Sequence, residues 1–171
     1  MTTSLEPLVI GMGSNIDPAH HVSLALDALH QRASVVDTSS VYRSPAVGLP
    51  VGSPDFLNLA VRLRWSGTLF ELKALLEDIE NGQGRVRDSG SWVSRTLDLD
   101  ILVAGRLHGQ VGSFSLPHPD IERFAHVAVP LAELVGEHIH SRLGVTYSDL
   151  ATSMDASHME RLEVLPRGTV A

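Results

Sequence analysis

Phe56-Leu57-Asn58-Leu59-Ala60-Val61-Arg62-Leu63-Arg64-Trp65 alternates with a period of two along its whole length. Successive side chains on a strand point to opposite faces. Leu57, Leu59, Val61, Leu63 and Trp65 therefore share an apolar face, and Phe56, Asn58, Ala60, Arg62 and Arg64 share the other. A half-apolar strand needs a cover, and the next residues supply one. Thr68 and Glu71 form a capping box, and Leu69, Leu72, Leu75, Leu76 and Ile79 make the apolar stripe of the helix they open.

The same reading extends outward. Residues 8–12 are a short buried strand ending at Gly13-Ser14-Asn15. Asp17-Pro18 starts a helix, with an acid at the N-cap and proline at the first helical position. Val22, Ala25, Leu26 and Leu29 form its stripe. Residues 35–42 read as a second strand, 43–54 as a loop rich in proline and glycine, and 97–103 as a fourth strand. The order strand, helix, strand, strand, helix, strand is that of a ferredoxin-like α+β sandwich. It predicts a mostly antiparallel sheet with both helices on one face and the other face open. Downstream, Leu116-Pro117-His118-Pro119 is extended and leads into a short helix near 120–125. Residues 127–135 are apolar, strand then helix, and a further helix is expected near 147–154. A strand-like piece falls at 162–165, and the tail 144–171 has no assigned role. With no repeat, low-complexity block or linker, residues 1–171 are expected to form one domain.

Composition narrows the function. Of the residues, 43% are apolar, and mean hydropathy is near zero. No run approaches the length of a membrane span, and the first seven residues lack a signal-like block. The absence of cysteine excludes disulfides and thiolate metal sites and fits a reducing cytoplasm. A net charge of −7 argues against nucleic acid as partner. Arg85, Arg87 and Arg95 nevertheless cluster, which suits a small phosphorylated ligand.

Arg95-Thr96-Leu97-Asp98-Leu99-Asp100-Ile101-Leu102 carries the chemistry. Leu97, Leu99 and Ile101 face a core while Asp98 and Asp100 stand together on the other side. Two carboxylates at i and i+2 lie roughly 7 Å apart and repel by about 2 kcal/mol at a dielectric near 20. They call for a cation or for basic side chains, Arg95 among them. Arg85 and Arg87 share a face if Gly82-Gln83-Gly84-Arg85-Val86-Arg87 is extended, and guanidinium forks suit phosphate. Gly13-Ser14-Asn15 lacks the Walker pattern and reads first as a turn. His118, fixed between two prolines, is a positioned donor. His138 and His140 lack a third ligand for zinc, and no Ser/His/Asp nucleophile motif is present.

Taken in series, Gly13-Ser14-Asn15, Tyr42-Arg43-Ser44-Pro45, Asp55-Phe56-Leu57-Asn58, Gln83-Gly84-Arg85-Val86-Arg87, the Arg95–Asp100 signature and Leu116-Pro117-His118 resemble the 6-hydroxymethyl-7,8-dihydropterin pyrophosphokinases of folate biosynthesis. The resemblance covers about residues 8–134. It implies a ferredoxin-like fold and transfer of pyrophosphate from ATP to the hydroxymethyl group of the pterin, with release of AMP. It implies that Asp98 and Asp100 hold two Mg²⁺ ions and that Arg85 and Arg95 act with them at the phosphates. Glu80, Arg87, Trp92, His118 and Arg123 would bind ATP. Ser44, Pro45, Val47, Phe56, Asn58 and His126 would bind the pterin, with Phe56 stacking on the ring. A cytoplasmic monomer is expected.

The chain departs from the family pattern in three places. An arginine is usual where Phe124 stands, with Arg123 one residue early here. An aromatic ring is usual where His126 stands. Asp88 and Ser91 replace basic residues in the loop that closes over substrates. Two alternatives follow, a divergent paralogue acting on another pterin and a non-catalytic domain binding nucleotide or pterin. A nucleotidyltransferase is disfavoured because Gly13-Ser14 and Asp98 are far apart in sequence.

Overall fold

The structure, a computed structural model, describes residues 4–85 and 95–163. Its elements in chain order are β1 (Leu8–Ser14), α1 (Pro18–Arg32), β2 (Ser34–Thr38), β3 (Val41–Ser44), β4 (Phe56–Arg64) and α2 (Leu69–Gly82). There follow β5 (Asp98–Ala104), the hairpin β6 (Gly109–Val111) and β7 (Phe114–Leu116), a 3-10 turn (Pro119–Glu122), α3 (Ala125–Val135), α4 (Tyr147–Thr152) and β8 (Glu160–Leu162). The main sheet runs β5-β1-β4-β3-β8 with β2 also on β4, and its pairings are antiparallel. This is the expected α+β sandwich, extended by β8.

The alternation of β4 is realised. Leu57, Leu59, Val61 and Leu63 join Leu8, Ile10, Met12, Leu99 and Ile101 in the main core, under Val22, Ala25 and Leu29 of α1 and Leu72, Leu76 and Ile79 of α2. Each such side chain contributes roughly 1.5–3 kcal/mol by leaving water, so burial of this face holds the two helices down. The Thr68–Glu71 capping box forms in full. Asp17 does precede α1, but its carboxylate makes no cap bond and its backbone is left-handed, φ 41°.

Three expectations are corrected, and one element is added. The strand expected at 35–42 is two strands, β2 and β3, which follow one another along the same edge of β4 and are interrupted at Ser39 and Ser40. The Ser39 amide still donates to the Ala60 carbonyl at 2.9 Å, but the Ala60 amide donates to the Ser39 hydroxyl at 2.8 Å, so a side chain takes one of the two ladder bonds there. Residues 127–135 contain no strand; α3 begins at Ala125 and runs unbroken through them. The hairpin β6–β7 was not foreseen, since neither strand exceeds three residues. Nor is the second sheet face wholly open. Leu131, Val135 and Tyr147 of α3 and α4 cover Val9, Ala60, Leu102 and Val103 there. What remains open is the end of that face beside Gly11, Gly13, Phe56, Asn58, Asp98 and Asp100.

Candidate active site

At that open end lies a cavity of about 370 Å³. Its floor is set by strand register: Gly13 pairs with Asn58 on one side and Asp98 on the other, and Gly11 pairs with Asp100. A Cβ on Gly13 would stand 3.2 Å from Asn58 Oδ1, and one on Gly11 would stand 3.1 Å from Leu102. Glycine keeps this floor flat between the two walls.

Asp98 and Asp100 share the cavity face, as their parity requires. Asp98 Oδ1 accepts from Arg85 Nη1 at 2.8 Å, and Oδ2 accepts from Arg95 Nη1 at 2.8 Å. Arg85 also meets Glu80 Oε1 at 2.6 Å. Burial pulls the Arg85 guanidinium down, but Asp98, Glu80 and Asp100 outweigh it and raise it above its ordinary value. Glu80 is only 1% exposed and does not line the cavity. Its Oε1 accepts from the Leu99 amide at 2.7 Å, tying α2 to β5 beside Arg85.

Asp100 is pushed up to about 6, first by burial and then by the charge of Asp98. His118 Nε2 stands 3.9 Å from Asp100 Oδ1. A bulge puts the histidine there. The β1–β5 register slips between Val9 and Ile10, leaving Leu102 as the extra residue, and its carbonyl accepts from the His118 amide at 2.8 Å. Bulges commonly re-aim a strand beside a site in this way. The Asp120 amide donates to His118 Nδ1 at 3.2 Å, which leaves the ring proton on Nε2.

Phe56, Asn58, Ser44, Pro45 and Val47 line the opposite part of the cavity. Asn58 Nδ2 donates to Ser44 Oγ at 2.8 Å, joining β4 to β3. Phe124 and His126, at the start of α3, form the remaining wall. Their rings are stacked at 5.1 Å and 20°. Burial lowers the His126 pKa, favouring the neutral ring.

The sequence-predicted residues Ser44, Pro45, Val47, Phe56, Asn58, Arg95, Asp98, Asp100, His118 and His126 thus surround one space, with Arg85 bound to Asp98. Arg123 is not among the lining residues. It is 61% exposed, pairs with Asp120 at 3.7 Å and lies 5.0 Å over the Phe124 ring. Arg87 and Trp92, like Asp88 and Ser91, lie outside the described residues.

Sequence reasoning missed Asn15. It is buried and staples the site: Oδ1 accepts from the Arg95 amide at 2.8 Å, and Nδ2 donates to the Pro54 carbonyl at 3.2 Å. Gly11, Leu49, Asp120 and Val127 were also missed as lining residues. Parity and register could have found Gly11, since it stands opposite Asp100. Among the described residues, no three His, Asp or Glu side chains gather into a metal-ligating group. A cation held by Asp98 and Asp100 would have to complete its shell with ligands from outside these side chains, such as phosphate and water. That suits magnesium, which keeps waters and binds through few carboxylates.

The family profile described as 7,8-dihydro-6-hydroxymethylpterin-pyrophosphokinase matches residues 9–136. The chain is 40% identical over 128 residues to a 2-amino-4-hydroxy-6-hydroxymethyldihydropteridine pyrophosphokinase of Bacillus subtilis, covering 73% of this chain and 75% of that one. It is 37% identical over 131 residues to the Haemophilus influenzae protein of the same name, covering 75% and 81%. Among solved structures, a Plasmodium falciparum HPPK-DHPS with pteroate aligns at TM-score 0.69 and 13% identity. That alignment covers 95% of this chain and 48% of that one, so this chain spans about half of it; at such identity the likeness concerns the fold.

Proposed function

The chain belongs to the 7,8-dihydro-6-hydroxymethylpterin-pyrophosphokinase family, and from that premise we propose how its cavity carries the reaction. The activity is ATP-dependent transfer of pyrophosphate to 6-hydroxymethyl-7,8-dihydropterin in folate biosynthesis, giving AMP and the pterin diphosphate. ATP is the co-substrate, and Mg²⁺ is typical of the family.

At the carboxylate end, Asp98 and Asp100 are the residues that would hold Mg²⁺, two ions in this reading. Hard carboxylate oxygens suit them, and the two arginines now on Asp98 mark a place that attracts positive charge. When bound, Mg²⁺ neutralises phosphate charge and orients the β-phosphorus for in-line attack. Arg85 and Arg95 exchange Asp98 for phosphate oxygens, and His118 donates its Nε2 proton to the same group. Glu80 acts through Arg85, while Arg87, Trp92 and Arg123 serve the nucleotide. Catalysis is alignment and charge stabilisation rather than covalent chemistry.

At the other end, Phe56 and His126 take the two faces of the pterin, Asn58 and Ser44 bond its edge, and Pro45 and Val47 close the side. The observation that carries this reading is a single cavity joining the aspartate pair to the Phe56–Asn58 wall. Phe56→Ala and Asn58→Ala should each raise the pterin KM by about tenfold or more and leave the ATP KM unchanged. A raised ATP KM with an unaltered pterin KM would mean that the two ends are reversed. The Phe124–His126 stack favours a second reading, in which the acceptor is a different hydroxymethyl pterin; competition assays between pterins separate the two. The same account has the chain acting as one domain, a monomer in the cytoplasm, and a solution mass of twice 18.4 kDa would contradict the monomer.

A further inference from the structure

Tyr42 opens the motif that ends in Ser44 and Pro45, yet it does not line the cavity. It stands one alternation from Ser44 on β3, on the same face of the sheet. Only 8% of Tyr42 is exposed. Its hydroxyl donates to Glu133 Oε1, and the Ser40 amide donates to Glu133 Oε2 at 2.9 Å. Both oxygens of one carboxylate are thereby committed to β3 and to the break between β2 and β3. Arg161 of β8, the cross-strand partner of Tyr42, donates to Ser40 Oγ at 2.9 Å and so holds that break as well.

Glu133 lies seven residues, two helical turns, beyond His126 on α3, so the two share a stripe about 10 Å apart along the axis. Leu131 and Val135 seat α3 on the sheet by apolar contact. Such contact is non-directional and tolerates small slides. A charge-assisted hydrogen bond is directional and does not. Burial, and then Glu133, push the Tyr42 hydroxyl up to about 12, so it remains a donor at neutral pH.

We propose that Tyr42 and Glu133 are positioning residues for the acceptor. They form a strut that fixes the α3 wall of the cavity, Phe124 and His126, against the β3–β4 wall, Ser44, Phe56 and Asn58. The proposal rests on the pterin reading of the cavity given above. Misplacement by a fraction of an ångström at the strut reaches the stacking rings directly, because both walls are continuous with it. Asp98 and Asp100 on β5, with Arg85 beyond the end of α2, lie on elements that the strut does not join.

Tyr42→Phe keeps the ring in place, and Glu133→Gln keeps the shape of the side chain. Each should raise the pterin KM about tenfold with the ATP KM within about twofold. The double variant should be little worse than either single one, since both remove one interaction. An unchanged pterin KM, or equal rises in both KM values, would overturn the strut. A second readout does not need turnover. The His126 ring resonances, shielded by Phe124, should shift in both variants, and unmoved resonances would overturn the proposal even if the wild-type chain formed no product. Failure of the wild-type chain to release AMP would instead count against the pterin reading itself.

Discussion

Asp98 and Asp100 are two residues apart but meet their charge differently. Asp98 has a guanidinium on each oxygen. Asp100 faces His118 at 3.9 Å across the cavity floor, with 36% of its side chain exposed, and is pushed up to about 6. A carboxyl raised in the folded state contributes stability that is present below its ordinary pKa and is lost as pH rises through about 6. In metal-free protein at pH 7, Asp100 is therefore ionised at a cost, and Asp100→Asn should raise the unfolding temperature. Proton and metal compete for the same oxygens, so the midpoint Mg²⁺ concentration for thermal stabilisation should climb steeply as pH falls below 6. A midpoint flat from pH 5 to pH 8 would contradict this. Glu80 is a different case, because its one carboxylate serves both the Leu99 amide and Arg85. Glu80→Gln should cost about 1–3 kcal/mol in chemical denaturation, with turnover also reduced, since Arg85 loses its anchor. Loss of stability with turnover unchanged would leave Glu80 a role in the fold alone.

At the scale of elements, the cavity is a consequence of register. Gly13 lies between Asn58 and Asp98 because β1 is the shared neighbour of β4 and β5. Gly13→Ala should press its Cβ on Asn58 Oδ1 and raise the pterin KM several-fold, and a wild-type KM would show that the floor has room to spare. The same register bears on one sequence argument. Gly13-Ser14 and Asp98 are distant along the chain yet adjacent in the sheet, so their sequence separation does not by itself exclude a nucleotidyltransferase; membership of the family does. The faces of β4 and β5 were legible because alternation survives folding unchanged. Leu102 was not, since a bulge depends on how two strands pair, and neither strand alone records it. The start of α3 was misread for a related reason: Val127, Val129 and Val135 look like strand, and burial against β4 and β5 overrides that preference.

At the scale of the molecule, the family profile stops at residue 136 while the fold continues. The segment beyond it adds α4 under α3 and β8 on the edge of β3, where Arg43 meets Glu160 at 2.9 Å. Ending the chain at residue 153 should cost about 2 kcal/mol, through lost β3–β8 backbone bonds, the packing of Leu162 on the main core and the Arg161 bond to Ser40. The surface ion pair adds little to that. Unfolding at an unchanged denaturant midpoint would show that β8 contributes nothing to stability. The sequence left this tail without a role because its strand is three residues long and partly charged. Its place is decided by the edge that β3 offers. Of the pocket residues, by contrast, Phe56, Asn58, Asp98 and Asp100 were readable from strand parity, and Ser44, Pro45, Val47 and His126 from the family resemblance. Asn15 escaped because its task is to bind backbone, for which a turn residue gives no distinguishing pattern.

The claim that joins these scales is that the aspartate pair, loaded with magnesium, presents the β-phosphorus of ATP to the pterin hydroxyl. The most direct test is to follow AMP and pterin diphosphate by chromatography with ATP, hydroxymethyl-dihydropterin and Mg²⁺, and then with Mg²⁺ omitted or with Asp98→Asn or Asp100→Asn in its place. We expect the two products in equal amounts in the complete mixture, and a loss of about 10²–10³-fold or more in each altered one. Formation of ADP in place of AMP, or turnover that persists without Mg²⁺ or without either carboxylate, would contradict it.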